Sequence, residues 1–501
     1  MRMVLSIIIF RKHADNMRSI AMKKSTLIGR KEEIKILENY YNSEKSEFVA
    51  VYGRRRVGKT FLVRETLGKF FDFEFTGLYE TPAAIQRGEF QKELNRRSKN
   101  SSPTPENWFD AFSNLKDYLL SLKKDKVAVF IDELPWMDTN KSNFRTALST
   151  FWNGWGNSKT VLKLFVCGSA TTWMVDKLIG DRGGLYGRIT RPIYLAPFSL
   201  NETELYLNGI KKMGYGKKKV LDAYMVFGGI PYYLDMFDNS APLSVNVDKL
   251  LFADNAPLRT EYDFLFRSLF KDSANYRKVI ETLSKRLSGL TREEITKESG
   301  LSGGELSKIL ANLASCDFIR SYLAPKKKER NQMYQLTDMF SLFYLRFVKK
   351  ASGSDDHFWT NMLNSGKKNA WSGYAFEQVC LHHVNQIKAK LGISGIASSI
   401  YAWSQKAYTD KDGSEWDGGQ IDLIIDRADG VMNLCEMKYS SEEFKIDKNY
   451  EKTIRDRISL FKHTENTSKT LRCTFVTTYG VKPNEYRGIV DDEVTLEDLF
   501  A

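Results

Sequence analysis

Residues 48–60 read FVAVYGRRRVGKT, an apolar run followed by the pattern GxxxxGK[ST]. The apolar run predicts a buried strand, and residues 61–67 continue as a helix. Glycines allow backbone N–H groups to close around phosphates, and a helix N-terminus adds its positive end. The order of strand, loop and helix therefore predicts a phosphate-binding loop made of Gly53, Arg54, Arg55, Arg56, Val57, Gly58, Lys59 and Thr60.

Two residues of this loop carry the expected chemistry. Lys59 is expected to reach the β- and γ-phosphates of a nucleoside triphosphate, and the Thr60 hydroxyl is expected to ligate Mg²⁺. The alternative is a chance glycine-rich turn. The strand before the loop and the helix after it disfavour that alternative.

A second apolar run, residues 127–131, ends in Asp132 and Glu133. In open α/β sheets ligands collect at the carboxyl ends of the strands. We therefore expect Asp132 to hold the Mg²⁺ shell and Glu133 to act as general base on the attacking water. The alternative is an N-cap pair that opens the next helix, and the phosphate loop upstream favours the catalytic interpretation.

Two further residues are candidates at the same site. Ser169 follows the predicted strand 162–167 and can sense the γ-phosphate, although Thr171 and Thr172 compete for that role. Arg188 is a candidate arginine finger that neutralises charge in the transition state. The alternative is that Arg188 and Arg191 are solvated surface arginines.

The length and composition of the chain limit the class of protein it can be. The chain has 501 residues, 75 Lys plus Arg against 62 Asp plus Glu, and a net charge of +13. Its length predicts two or more domains, and 42% hydrophobic residues exclude a fibrous, collagen-like or mostly disordered protein. No apolar run approaches the ~20 residues of a membrane span. The positive balance favours a phosphate-rich partner.

The cysteines and the N-terminus bear on location. The five cysteines are scattered and form no CxxC pair, which argues against a disulfide framework or a zinc site and predicts a cytoplasmic protein. Residues 1–24 are interpreted as an N-terminal extension without the features of a secretory signal. Met1, Met17 and Met22 are alternative starts.

Several segments of the chain together resemble a known protein family. Gly29-Arg30 with Glu33, the phosphate loop, the segment IDELPW at 131–136, GGIPYYL at 228–234 and VTLEDLF at 494–500 resemble the archaeal-type P-loop ATPases. These are AAA-related proteins, some of which carry a C-terminal nuclease-like domain. The resemblance runs from about residue 27 to 501 and implies ATP hydrolysis by an AAA-like α/β core with a helical lid.

A basic module follows the predicted lid. Residues 276–335 contain 12 Lys or Arg and seven Asp or Glu. The predicted order is that of a winged helix, with helices over 279–287, 291–299 and 302–314, then strands over 318–323 and 333–336. Thr291 and Glu294 are predicted to form a capping box at the start of the second helix. Ser302, Glu305 and Lys308 are candidates to face a DNA groove, with residues 326–328 (KKK) on phosphates. The alternatives are docking of another protein and lysines that are merely solvated.

A carboxylate cluster lies near the C-terminus. Residues 420–426 and 431–438 predict a hairpin that places Glu436 and Lys438 on one face, with Asp422 on the neighbouring strand. This set resembles the PD-(D/E)xK nucleases, although Ile421 stands where that pattern often has proline. Asp422, Glu436 and, from a helix, Glu377 would hold Mg²⁺ or Mn²⁺, and Lys438 would position or activate water. The alternatives are an exposed salt-bridged strand pair and an inactive domain that only binds DNA.

These segments predict an α/β protein of several modules. The predicted limits are 25–200 for the P-loop core, 201–272 for the helical lid, 273–348 for the winged helix, 349–356 for a linker and 357–501 for a second α/β domain of restriction-endonuclease-like type. The working hypothesis is a Mg²⁺-dependent ATPase whose nucleotide state controls DNA binding or cleavage, alone or with a second copy or a protein partner. Two alternatives remain: a regulatory switch with an inactive C-terminal domain, and a signalling ATPase directed at proteins.

Overall fold

The computed structural model describes residues 27–155, 159–270, 272–323, 329–351, 353–410 and 412–501. The predicted N-terminal extension and the predicted phosphate contacts at 326–328 lie outside the described residues. The chain divides into two compact units, one ending at Pro197 and the other running from Phe198 to Ala501. The second unit contains the segments that the sequence assigns to lid, winged helix and nuclease-like domain, and the limits between those modules stay predictions.

The described part of the first unit is built on a parallel sheet of five strands in the order β2-β3-β4-β1-β5. The strands are β1 Glu47–Tyr52, β2 Phe73–Thr76, β3 Lys126–Asp132, β4 Val161–Gly168 and β5 Arg191–Tyr194. The helices are α1 Lys31–Asn42, α2 Lys59–Leu67, α3 Ala83–Ser98, α4 Trp108–Ser121, α5 Phe144–Trp155 and the short α6 Thr171–Trp173. The three strands predicted from apolar runs and the helix after the phosphate loop are confirmed.

The central strands are buried because helices cover the sheet. Apolar side chains of β1, β3 and β4 pack against Trp108 and Phe112 of α4 and Phe144 of α5, all nearly inaccessible to solvent. A strand buried on both faces reads as a continuous apolar run, which explains why these strands were visible in the sequence. The α/β P-loop fold predicted for this region is confirmed.

The second unit begins with helices. They are α7 Leu200–Glu204, α8 Lys217–Phe227, α9 Pro231–Asp235, α10 Leu243–Leu251 and α11 Glu261–Leu269. The Gly228-Gly229 pair separates α8 from α9. The Gly229 carbonyl oxygen accepts a hydrogen bond from the Phe198 N–H at 2.6 Å, and a Cβ on Gly229 would overlap the Phe198 backbone. The close approach of two chain segments therefore requires glycine there.

A small three-stranded antiparallel sheet follows, in the order β6-β8-β7. Its elements are α12 Ser273–Ser284, β6 Leu290–Thr291, α13 Arg292–Ser299, α14 Gly303–Ser315, β7 Ile319–Tyr322 and β8 Met333–Leu336. The predicted capping box of Thr291 and Glu294 is present. The first helix lies further upstream than the predicted 279–287, because buried Tyr276 extends its apolar face. Leu287, by contrast, is 42% exposed.

The chain ends in a mixed sheet in the order β15-β14-β13-β12-β9. Along the chain, four helices connect the small sheet to this one: α15 Met339–Arg346, α16 Phe358–Asn361, α17 Gly366–His382 and α18 Val384–Lys390. The remaining elements are β9 Ser398–Gln405, β10 Tyr408–Thr409, β11 Glu415–Trp416, β12 Gly419–Arg427, β13 Val431–Lys438, α19 Lys448–Glu465, β14 Thr470–Thr477, β15 Asp492–Thr495 and α20 Leu496–Leu499.

The pairing of these strands determines where the predicted carboxylates lie in the sheet. β12 and β13 form the predicted antiparallel hairpin, and β14 pairs with β13 in parallel after the α19 crossover. The register between β12 and β9 shifts between Ile421 and Ile424. Irregularities of this kind redirect side chains, and this one surrounds Asp422.

Candidate functional site

The phosphate-binding loop leaves the carboxyl end of β1 and enters α2 at Lys59. Gly58 has a φ of 91°, a left-handed conformation that favours glycine, and it forms the N-cap of α2. The Lys59 ammonium donates hydrogen bonds to the carbonyl oxygens of Gly53 at 3.0 Å and Arg54 at 2.9 Å. Its charge is thereby held inside the loop, where the phosphates of a nucleotide would lie.

Asp132 joins the phosphate loop to β3. Its Oδ2 accepts a hydrogen bond from the Thr60 hydroxyl at 2.9 Å, and the residue is 5% exposed. Its Oδ1 accepts from the Glu133 N–H at 2.9 Å and from the Cys167 thiol at 2.7 Å. The structure thus brings together a hydroxyl and a carboxylate, hard oxygen donors of the kind that Mg²⁺ prefers.

Glu133 lies beside Asp132 and faces β4. Its backbone has a φ of 46°, and its Oε2 accepts hydrogen bonds from the Ser169 N–H at 3.0 Å and the Ser169 hydroxyl at 2.8 Å. Of the three polar residues predicted after β4, Ser169 is therefore the one bonded to Glu133. The Thr171 hydroxyl is buried and has no hydrogen-bond partner within the described part of the chain, and Thr172 is half-buried.

Arg188 lies apart from these groups. It precedes β5, whose first residue, Arg191, pairs with Val49 of β1, and the Thr190 N–H donates to the Phe48 carbonyl at 2.9 Å. Arg188 therefore lies toward the amino ends of the strands, whereas the phosphate loop leaves the carboxyl end. Both Arg188 and Arg191 are exposed. The structure does not bring Arg188 to the nucleotide site of its own chain.

Three residues that support this site were not predicted. Cys167 lies inside β4, and burial, followed by the Asp132 charge, raises the pKa of its thiol, so that it stays a protonated donor. The fully buried Gln86 donates its amide to the carbonyl oxygens of Leu78 at 3.1 Å and Trp136 at 2.6 Å. A Cβ on Gly77 would approach the Glu133 carbonyl oxygen to 2.6 Å. No spacing in the sequence distinguishes these residues from others of their type.

A second cluster lies on β13 and α19. Glu436 forms an ion pair with Lys438 at 2.9 Å and with Arg457 at 2.5 Å, and it accepts a hydrogen bond from the Tyr450 hydroxyl. Burial raises the pKa of the Glu436 carboxyl, but Lys438 and Arg457 outweigh burial and hold that pKa below its usual range. Burial lowers the pKa of Lys438, but Glu436 and Tyr450 outweigh it and raise that pKa above its usual range. Both groups are therefore charged at neutral pH. Sequence spacing had not identified Arg457 or Tyr450.

Asp422 and Glu377 face the same cluster from β12 and α17. Asp422 accepts a hydrogen bond from the Gln420 amide. Burial, followed by the Asp422 charge, raises the pKa of Glu377 to about 8. Burial also raises the pKa of Asp422, with a further contribution from Glu436. Within the described ranges no three His, Cys, Asp or Glu side chains form a group that could hold a metal ion, so the ligand role of Glu377, Asp422 and Glu436 stays a prediction.

The predicted DNA-facing residues lie on the surface of the second unit. Ser302, Glu305 and Lys308 are exposed on or next to α14, and Glu305 accepts a hydrogen bond from Asn275 at 2.7 Å. Their contact with DNA stays a prediction. Among the described residues, no helix combines the length and the apolar character needed to cross a bilayer.

Comparison with known proteins gives a match to a domain model over the region that contains the phosphate-binding loop. Residues 27–237 match the model of an ATPase domain predominantly from Archaea. An uncharacterized protein of Methanocaldococcus jannaschii is 26% identical over 361 residues, covering 70% of this chain and 76% of that protein. An uncharacterized ATP-binding protein of the same organism is 48% identical over 40 residues, covering 8% of this chain and 68% of that protein.

Solved structures also resemble this chain. The Walker-type ATPase of Pyrococcus abyssi is 20% identical with a TM-score of 0.47, covering 64% of this chain and 96% of that one. The ORC2 protein of Aeropyrum pernix is 12% identical with a TM-score of 0.41, covering 64% of this chain and 93% of that one.

Proposed function

The chain belongs to a family of predominantly archaeal ATPases, whose domain occupies residues 27–237, and from this premise we propose that it hydrolyses ATP with Mg²⁺ and uses the nucleotide state to control DNA binding or cleavage. The observation that carries the ATPase part is the 2.9 Å hydrogen bond between Thr60 and Asp132. It joins the end of the phosphate loop to the acidic end of β3, as the binding of a nucleotide with its metal ion requires.

Each residue of this site would have its own role in ATP hydrolysis. Lys59 would exchange its bonds to the loop carbonyls for bonds to the β- and γ-phosphates, and Thr60 with Asp132 would hold the Mg²⁺ shell. When bound, Mg²⁺ supplies positive charge that stabilises the negative charge of the transferring phosphoryl group. Glu133 would orient the attacking water and accept its proton. Because Glu133 is bonded to Ser169, it must leave that partner or share it to reach the water.

We expect Glu133→Gln to lower kcat for ATP hydrolysis by about 10²-fold, because an amide can still orient water but cannot accept its proton. ATP affinity should change by no more than about threefold, since the Glu133 carboxylate accepts its hydrogen bonds from Ser169 rather than from the phosphate loop. The measurement is steady-state phosphate release together with ATP binding by calorimetry. Glu80→Gln, at an exposed position of the same unit, is the control. Unchanged turnover in Glu133→Gln would contradict the proposed general base.

The second unit supports a metal-dependent nuclease-like function. Helix α17, the antiparallel strands β9, β12 and β13, helix α19 and the parallel strand β14 follow one another in the order typical of the nuclease superfamily that the sequence resembles. The Glu436–Lys438 ion pair lies on the third of these strands. The carboxylates of Glu377, Asp422 and Glu436 are hard donors that suit Mg²⁺ or Mn²⁺, and a bound divalent ion would polarise a phosphodiester and lower the pKa of water.

The preceding module supports a contact with DNA. The order of α12, β6, α13, α14, β7 and β8 matches the order that the sequence predicts for a winged helix, and α14 would be its recognition helix by position. Ser302 and Lys308 are exposed there. The regulatory-switch alternative shares this contact and differs only in the chemistry of the C-terminal cluster.

The raised pKa of Glu377 predicts how stability depends on pH in the metal-free protein. With a folded-state pKa of about 8 against an ordinary value of 4.5, the folded protein binds more protons than the unfolded chain between these values. Stability therefore falls as pH rises through this window. We expect Glu377→Gln to reduce that fall in a thermal unfolding series from pH 5 to 8.5. Glu443→Gln, at an exposed position, should behave like the wild type.

A divalent ion should reverse the effect at high pH. At pH 8.5, Mn²⁺ at about ten times its Kd should stabilise the wild type by about 1.4 kcal/mol, or about 2–4 °C in Tm. The shift should be lost in Glu377→Gln and kept in Glu443→Gln. An equal shift in the two variants would contradict a ligand role for Glu377.

A further inference from the structure

A cavity of about 100 Å³ separates the small three-stranded sheet from the nuclease-like carboxylates, all within the second unit. One wall comes from β7 and β8 and the other from α17 and β12. The residues that matter here are Arg320, Gln335, Glu377, Gln378 and Asp422. One cation and two carboxylates therefore face the same cavity from opposite elements.

Arg320 is fixed in position before any ligand arrives. Its Nε donates to the Gln335 Oε1 at 2.8 Å, and the Gln335 amide in turn donates to the Leu287 carbonyl at 2.6 Å. Burial lowers the pKa of the guanidinium. In the part of the chain that the structure describes, Arg320 forms no ion pair. Arg320 is partly buried, and the Asp422 charge acts on it from the opposite wall of the cavity. A guanidinium that faces a cavity in this way can bind an anion there.

On the opposite wall, the positive charge of Lys438 acts on the carboxylates of Glu377 and Asp422. Among the described residues neither Glu377 nor Asp422 forms an ion pair, in contrast to Glu436. The neighbouring Gln378 is 1% exposed, and its buried Oε1 has no hydrogen-bond partner among the residues that the structure describes. A buried acceptor that lines a cavity without a donor indicates a ligand or an ordered water there. The arginine and the two carboxylates thus face one cavity from opposite walls without forming an ion pair with one another among the described residues.

We propose that Arg320 binds a phosphate of a polynucleotide whose divalent cation is held by Glu377 and Asp422, so that the nuclease-like site is completed by a residue of the winged-helix module. A phosphodiester with a divalent ion presents negative oxygens on one side and a positive ion on the other, which matches the two walls of the cavity. The planar guanidinium can donate two parallel hydrogen bonds to phosphate oxygens. The inference rests on the proposed nuclease-like function and adds a residue outside its motif.

The test measures phosphate contact separately from cleavage. Full-length protein binds fluorescein-labelled duplex DNA in Ca²⁺, and anisotropy is read over a range of salt concentrations. Arg320→Gln keeps a donor for Gln335 but removes the charge, Arg320→Lys keeps the charge, and Arg346→Ala removes an exposed positive charge from the same unit. Arg320→Gln should weaken binding about tenfold and reduce the slope of log K against log salt by about 0.9. Arg320→Lys should be intermediate, and Arg346→Ala should match the wild type.

Two results would overturn the inference. Wild-type affinity and salt slope in Arg320→Gln would show that Arg320 contacts no phosphate. Tighter binding, or faster cleavage in Mg²⁺ or Mn²⁺, would show that Arg320 closes the cavity against DNA. If the wild type cleaves no DNA in either ion, the nuclease activity is overturned, whereas the change in salt slope still reports whether Arg320 contacts phosphate.

Discussion

Lys59→Ala is expected to lower ATP turnover by about 10³-fold, since the variant lacks the positive charge that faces the transferring phosphoryl group. In the structure the Lys59 ammonium is 5% exposed and bonded to two carbonyl oxygens of its own loop. The ammonium group is therefore already inside the loop, and nucleotide binding requires only that it exchange these carbonyl oxygens for phosphate oxygens. ATP affinity should also fall, because the same charge contacts the phosphates before and during the reaction.

The experiment compares phosphate release and ATP binding in the wild type, Lys59→Ala and Lys69→Ala. Lys69 is exposed just beyond the end of α2, so its replacement controls for the loss of one positive charge near this helix. Thermal unfolding checks that the loop variant is folded. Normal turnover in Lys59→Ala would exclude this loop as the nucleotide site and overturn the central proposal.

Lys438→Ala is expected to reduce Mg²⁺- or Mn²⁺-dependent DNA cleavage by about 10³-fold. Glu436 and Tyr450 raise the pKa of Lys438, so the side chain is a cation at neutral pH and acts by donating hydrogen bonds and by its charge. Losing a preorganised donor of this kind typically costs about 10²–10³-fold in rate. Arg457 still pairs with Glu436 in the variant, which should preserve the fold of the cluster.

Lys445→Ala, at an exposed position after β13, is the matched control and should cleave like the wild type. Asp422→Asn is the second active-site variant and should be equally inactive if the carboxylate holds the metal. Full cleavage by Lys438→Ala would exclude this site. If the wild type binds DNA without cleaving it under any metal condition, the regulatory-switch alternative replaces the nuclease.

The elements that could be predicted are those whose signal is local. The strands β1, β3 and β4 are buried on both faces and therefore read as apolar runs, and the hairpin of β12 and β13 has a two-residue alternation with a polar turn. The capping box of Thr291 and Glu294 is contained in four residues. The helix α12 was misplaced because its apolar face extends to Tyr276, upstream of the predicted start.

The supporting contacts at both sites could not be predicted, because they join residues far apart in the chain. Ser169 bonds Glu133 across two neighbouring strands, and Arg457 reaches Glu436 from the helix after its strand. Cys167 looks like any apolar residue of a buried strand until the register places its thiol beside Asp132. Arg188 is a reasonable candidate by residue type. The parallel pairing of β5 with β1, however, places it toward the amino ends of the strands, away from the phosphate loop at their carboxyl ends.

The sequence by itself determined the phosphate loop, the acidic end of β3 and the carboxylates of the C-terminal hairpin, because each is a short pattern whose chemistry depends on neighbouring residues. Tertiary structure alone decided which of these groups are paired and which are left unsatisfied. Glu436 forms ion pairs with two cations, whereas among the described residues Glu377, Asp422 and Arg320 form none. Burial, charge pairing and pKa depend on every element that surrounds a side chain, and those neighbours are set by packing between distant segments rather than by spacing along the chain.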